Sequence, residues 1–160
     1  MRCRSGMTRE EFAASVWTRI VARYVETPDL QPLCLELQDQ FDADIPLALF
    51  LWAADDAGLS PDPEALGMLE AGIADWRGHV VRELRAVRRW LKPRVADDAQ
   101  AEFREKLKTL ELEAERLELD QLCRQFLSLP PGGGTAGAAA PRYLARLGVD
   151  AARVAAFCAP

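Results

Sequence analysis

Seven cations crowd residues 77–94 of this chain: Arg77, Arg82, Arg85, Arg88, Arg89, Lys92 and Arg94 stand against the single acid Glu83. Arg82, Arg85, Arg89 and Lys92 follow at i, i+3, i+7 and i+10, so a helix presents them on one face, with Arg77 and Arg88 toward its flanks. Guanidinium forks hold phosphate and carboxylate bidentately. Such a face can grip phosphate, nucleic acid or an acidic protein. Trp90 lies in the same run, and an exposed Trp among arginines is a binding hot-spot pattern. The competing reading is internal. If the next helix folds back, Arg89 comes level with Glu102 and Arg77 with Glu113 to Glu115, and Trp90 packs at the turn.

The acids are sorted the other way. From Tyr24 to Trp76 there are twelve of them and no Lys or Arg. Asp39, Asp42 and Asp44 precede one apolar segment, and Asp55 and Asp56 follow it. Carboxylates paired across helices can hold Mg²⁺ for diphosphate chemistry, but these groups sit at opposite ends of one short helix. Helix capping and a solvated loop explain them more simply. His79 has no second histidine or CxxC and makes a poor metal site. Ser5, Ser15, Ser60 and Ser128 have no base nearby in sequence, and Gly132-Gly133-Gly134 lacks the Lys-Ser/Thr of a phosphate loop. No catalytic, metal or cofactor signature emerges, so none is assigned.

The 160 residues suit one domain with a sizeable core, and 49% apolar content marks a globular chain. A net charge of −5 disfavours generic nucleic-acid binding, although a local basic face can still act. The longest apolar run, Ile45 to Ala54, is about half of the roughly 20 residues a membrane-spanning helix needs. The N-terminus lacks a hydrophobic signal region, and Met7 is an alternative start to Met1. Cys3, Cys34, Cys123 and Cys158 are widely spaced, which points to a reduced, cytoplasmic setting.

Every strong periodicity is helical. Thr8 and Glu11 form a capping-box pattern ahead of Phe12, Val16, Ile20 and Tyr24. Thr27 and Pro28 predict the next start, ahead of Leu30, Leu33, Cys34, Leu37 and Phe41. Residues 45–57 are apolar nearly all round and predict a buried central helix that includes Phe50, Leu51 and Trp52. Two long helices follow, over residues 63–92 and 97–127, with a kink or close contact near Gly72. Their short joint predicts an antiparallel hairpin that packs through Leu84, Val87, Leu91, Phe103, Leu107 and Leu110. The expected layout is an all-α bundle of about five main helices over residues 8–128. A Pro/Gly/Ala-rich linker over 129–141 and a short, loosely attached helical tail over 142–160 complete it.

Three blocks carry a family resemblance. They are Cys34 to Ile45 running on into Leu49-Phe50-Leu51-Trp52-Ala53, then Trp76-Arg77 with Val80-Val81-Arg82 and Leu84 to Lys92, then Leu107 to Arg116. Over residues 16–122 the chain resembles an uncharacterised proteobacterial family, domain of unknown function 2390. Pro46 and Glu83 depart from its pattern, which has Asn and Pro there. The resemblance implies a helical cytoplasmic bacterial protein and brings no activity, cofactor or catalytic residues.

The expected function is non-catalytic: a cytoplasmic helical adaptor or regulator with a protein partner. Arg82, Arg85, Arg88, Arg89, Lys92 and Trp90 would form its binding face, with part of the stripe unpaired. The alternative is a small-molecule binder or enzyme with a pocket beside the third helix at Trp52, Trp76, Arg77 and Glu111. Nucleic-acid binding ranks third, and a homo-oligomer stays open.

Overall fold

The computed structural model describes residues 6–130 and 138–160, which are helical or loop with no strand among them. Cys3 and most of the expected linker lie outside the described residues. Helix α1 (Arg9–Glu26) opens with the expected capping box: the Thr8 side chain accepts from the Glu11 N–H, and Glu11 accepts from the Thr8 N–H at 2.8 Å. Helix α2 (Leu30–Phe41) starts later than Thr27-Pro28 suggested. Asp29 precedes it without a side-chain cap, and Thr27 closes α1 instead.

Helix α3 (Ile45–Asp56) is the centre. Asp44 caps it by accepting from the Leu47 N–H at 3.1 Å, and Pro46 fits its first turn, where no N–H is needed. Helices α1, α2, α6 and α7 all touch α3. Phe12 of α1, Phe50 of α3 and Phe126 of α6 meet edge-to-face with centroids 5.4–5.6 Å apart, joining three helices at one point. Phe50 and Leu51 are buried as expected. Trp52 is only half-buried: it lies at the edge of the core, where the buried Arg23 of α1 covers one face of its ring at 4.0 Å.

Helix α4 (Pro63–Trp76) continues through a π turn (Arg77–Val81) into α5 (Arg82–Leu91), and α6 follows as one helix (Asp98–Ser128) capped by Asp97. The close contact expected at Gly72 is present. A Cβ there would fall 2.0 Å from the Gln125 side chain, and Gln121 Nε2 donates to the Gly72 carbonyl at 2.7 Å. The distortion itself lies further on, at the π turn. Trp76 Nε1 donates to the Ala114 carbonyl at 2.9 Å, Arg85 Nε reaches Glu111, and Arg104 donates to the Arg88 carbonyl. As the chain advances along α4 and α5, its partners recede along α6. Leu107 is buried and Leu84 and Leu91 are half-buried, whereas Val87, Phe103 and Leu110 are exposed, unlike their expected place in the contact.

The C-terminal residues differ most from the sequence reading. Helix α7 (Ala139–Arg146) begins inside the expected linker, and α8 (Ala151–Cys158) follows after Gly148 at φ 86°. Ala139, Ala140, Tyr143, Leu144, Val149 and Phe157 belong to the core, so these helices are not a loosely attached tail. Carboxylates of other helices help secure them, among them Glu70 on Arg146 of α7. Asp55, at the end of α3, accepts from the Ala139 and Ala140 N–H groups and caps α7. Glu36 of α2 pairs with Arg153 of α8. No helix among the described residues is long and apolar enough to cross a membrane.

Candidate functional site

The sorted charges meet inside the molecule. Its inner row runs between α5 and α6. Arg85, 8% exposed, places Nε 2.9 Å from Glu111 Oε1 and Nη2 2.6 Å from Glu115. Arg88 grips the other Glu111 oxygen. Burial alone would raise the Glu111 carboxyl, but the hydrogen bonds from Arg88 and Arg85 outweigh it and hold it below the ordinary range. Glu115 has Arg85 but not Arg88, and burial lifts it to about 6. The outer row binds α5 to the end of α2: Arg89 pairs with Asp39 and Arg82 with Asp42. Arg77 donates to the Asp42 carbonyl at 2.7 Å, and its Nε lies 3.2 Å from Asp44 Oδ2 in an ion pair without hydrogen-bond alignment.

Behind Asp44 lies Glu118 of α6, which is fully buried. Burial and then the neighbouring Asp44 carboxylate push its carboxyl up to about 10, so it is neutral at pH 7. Burial likewise raises Tyr143, whose hydroxyl oxygen accepts the Asp44 backbone N–H at 2.9 Å. Asp44 and Tyr143 form the inner wall of a cleft between α3 and α4 of about 280 Å³. Glu70, Arg77 and Arg82 give it polar edges, and the buried Leu47 and Ile73 lie beside Asp44 and Tyr143 at its base. The π turn supplies Arg77 and Gly78 to its rim, and π turns recur at functional sites because they re-aim the side chains around them.

The residues expected to form a free basic face are thus divided. Arg82, Arg85, Arg88 and Arg89 are held by acids of the same chain. The partners Asp39 and Asp42 come from α2 and its end, where distance in sequence hid them. Lys92 and Trp90 are exposed, with Trp90 59% accessible and Arg94 stacked on it at 4.6 Å. Of the expected pocket residues, only Arg77 lines the cleft. Trp52 lies under Arg23, Trp76 is tied to α6, and Glu111 belongs to the inner row, so the four do not converge. Sequence reading missed Glu118 and Tyr143. The one available signal was Glu111, Ala114 and Glu118 at i, i+3, i+7, a helical stripe whose acids disguise a buried face. Cys34 and Cys123 are buried, and His79 is exposed. No group of three His, Cys, Asp or Glu among the described residues is arranged to hold a metal ion.

Comparison with curated proteins and with solved structures finds no match to the chain. A family does match, over residues 15–122, a stretch that holds α2 to α5, most of α1 and α6, and all the ion pairs joining α5 to α2 and α6. The chain belongs to the family described as protein of unknown function (DUF2390).

Proposed function

We propose that this protein is a non-catalytic helical adaptor that binds another protein through the outer end of α4 to α6. In this reading α4, the π turn and α5 run antiparallel to α6 as one long hairpin, which extends beyond the shared core. One observation carries it. The main packing partner of α5 outside its own chain neighbours is α6, and together they leave Val87, Trp90, Phe103 and Leu110 exposed, with the exposed Lys92 and Arg94 following Trp90 and Arg94 stacked on it. An apolar strip edged by cations suits an amphipathic helix with an acidic flank. The docking surface therefore shifts from the expected arginine stripe to the tip, where Lys92 and Arg94 have no ion-pair partner among the described residues. Nucleic acid is the weaker reading, since the arginines best placed to track phosphates already hold carboxylates.

The test is capture from the native host with wild type, Trp90→Ala/Arg94→Glu and Arg82→Gln side by side. The tip variant should lose a protein that wild type and Arg82→Gln both retain, and added salt should weaken that capture. Its stability should change by less than about 0.5 kcal/mol, because both side chains are exposed. Equal recovery of the same proteins by the tip variant would refute the assignment.

A further inference from the structure

Arg77 and Arg82 stand at the mouth of the α3–α4 cleft, five residues apart. In a continuous α-helix that spacing would turn them about 140° from one another. The π turn removes the divergence: the Arg82 N–H donates to the Arg77 carbonyl, one i→i+5 bond, and both side chains reach the same cleft. Asp42 occupies them now. Its carboxylate pairs with Arg82 and lies 3.6 Å from Arg77, and its carbonyl accepts from Arg77. Asp42 is also the odd residue of the backbone. At φ 53° it is the one non-glycine residue in the left-handed region among those described, and its side chain is 70% exposed.

The other carboxylates of the cleft already face cations or caps. Asp44 Oδ1 caps α3 and Oδ2 faces Arg77 Nε, while Glu70 pairs with Arg146. Arg82 is therefore opposed by one exposed, replaceable carboxylate, which also faces the Nη2 end of Arg77, while the buried Asp44 holds Arg77 through Nε. Below them Leu47 and Ile73 lie buried beside Asp44 and Tyr143, and Gly78 leaves the rim open: a Cβ there would meet nothing within 4 Å.

We infer that Arg77 and Arg82 form an anion clamp across the π turn, which takes the oxyanion group, phosphoryl or carboxylate, of a small metabolite. The Asp42 carboxylate is the internal stand-in that such a ligand displaces. Two guanidinium groups on one oxyanion give paired, directional hydrogen bonds, and Leu47 and Ile73 offer the ligand's carbon body an apolar contact. The cleft volume of about 280 Å³ limits that body to a small molecule.

Titration calorimetry on the full chain tests this, with inorganic phosphate and, separately, malonate at constant ionic strength. Asp42→Asn removes the competing charge and should bind about tenfold more tightly than the natural chain. Adding Arg82→Gln to that variant should abolish the binding. Arg82 is a surface residue, so the double variant should stay folded, as circular dichroism will show. Binding of phosphate alone assigns a phosphoryl ligand, binding of malonate alone a carboxylate ligand, and either supports the clamp. Absence of binding by Asp42→Asn at millimolar concentration of both anions overturns it, as does undiminished binding without Arg82. Trp90→Ala should leave anion binding unchanged, which keeps this result separate from the adaptor assignment.

Discussion

Glu118 and Asp44 place two carboxyl groups side by side in the protein interior, and neither Glu118 oxygen nor Asp44 Oδ2 finds a hydrogen-bond donor elsewhere. One retained proton resolves both deficits, since it can bridge the two groups. Holding that proton costs stability at neutral pH. The unfolded chain releases it near the ordinary carboxyl value of 4.5, whereas the folded chain keeps it up to about 10. The unfolded state therefore binds fewer protons across that window, and stability falls as pH rises through it. Glu118→Gln keeps the size and removes the titration. We expect it to stabilise the fold by on the order of 1–3 kcal/mol at pH 8, with little gain at pH 4.5. Urea unfolding at the two values measures this, and a pH-independent difference would show that Glu118 is ionised in the fold. None of this could be read from sequence, where Glu118 looks like one more acid among Glu111, Glu113 and Glu115. Asp44, by contrast, was readable as a cap because Pro46 marks the first turn that it closes.

Helices with strong local punctuation announce themselves. Thr8 with Glu11, Asp44 with Pro46, and Asp97 at the start of α6 set boundaries that the structure keeps. The π turn has no such signal, because Arg77-Gly78-His79-Val80-Val81 continues the apolar spacing of α4 into α5 and only the register changes. Helices α7 and α8 escape for another reason. Eight residues each give no long stripe, and the carboxylate that caps α7 is Asp55, 84 residues earlier. Their place in the fold makes a direct prediction. Phe157 is fully buried, and its carbonyl accepts from the buried Arg23 of α1. Phe157→Ala should cost about 3–5 kcal/mol and open α8 to proteolysis. A variant that unfolds like wild type would mean that α8 contributes nothing to the core.

The sorting of charge along the chain acts on the whole molecule as a set of cross-links. The acidic residues at 39–44 and the basic residues at 77–89 are far apart in sequence, and pairing them draws α2 against α5. Sequence shows that such bands must meet something of opposite sign; whether that is a partner or the same chain depends on packing. Depth then decides what each pair is worth. Arg85 lies buried between Glu111 and Glu115, so removing it leaves the buried Glu111 to Arg88 alone and the partly buried Glu115 without its cation. Arg89 and Asp39 are about half exposed and are solvated either way. Arg85→Met should therefore lower the unfolding free energy by about 3 kcal/mol or more. Arg89→Met should stay within about 1 kcal/mol of wild type. Raising salt from low to near-molar concentration should shrink the Arg89 effect and leave the Arg85 effect largely intact, since buried pairs are screened least. Urea midpoints of the two variants at both salt levels decide it. Equal losses would mean that the outer row is as much a part of the fold as the inner one, and that α2 is held by its ion pairs more than by Leu30, Cys34 and Leu37 in the core.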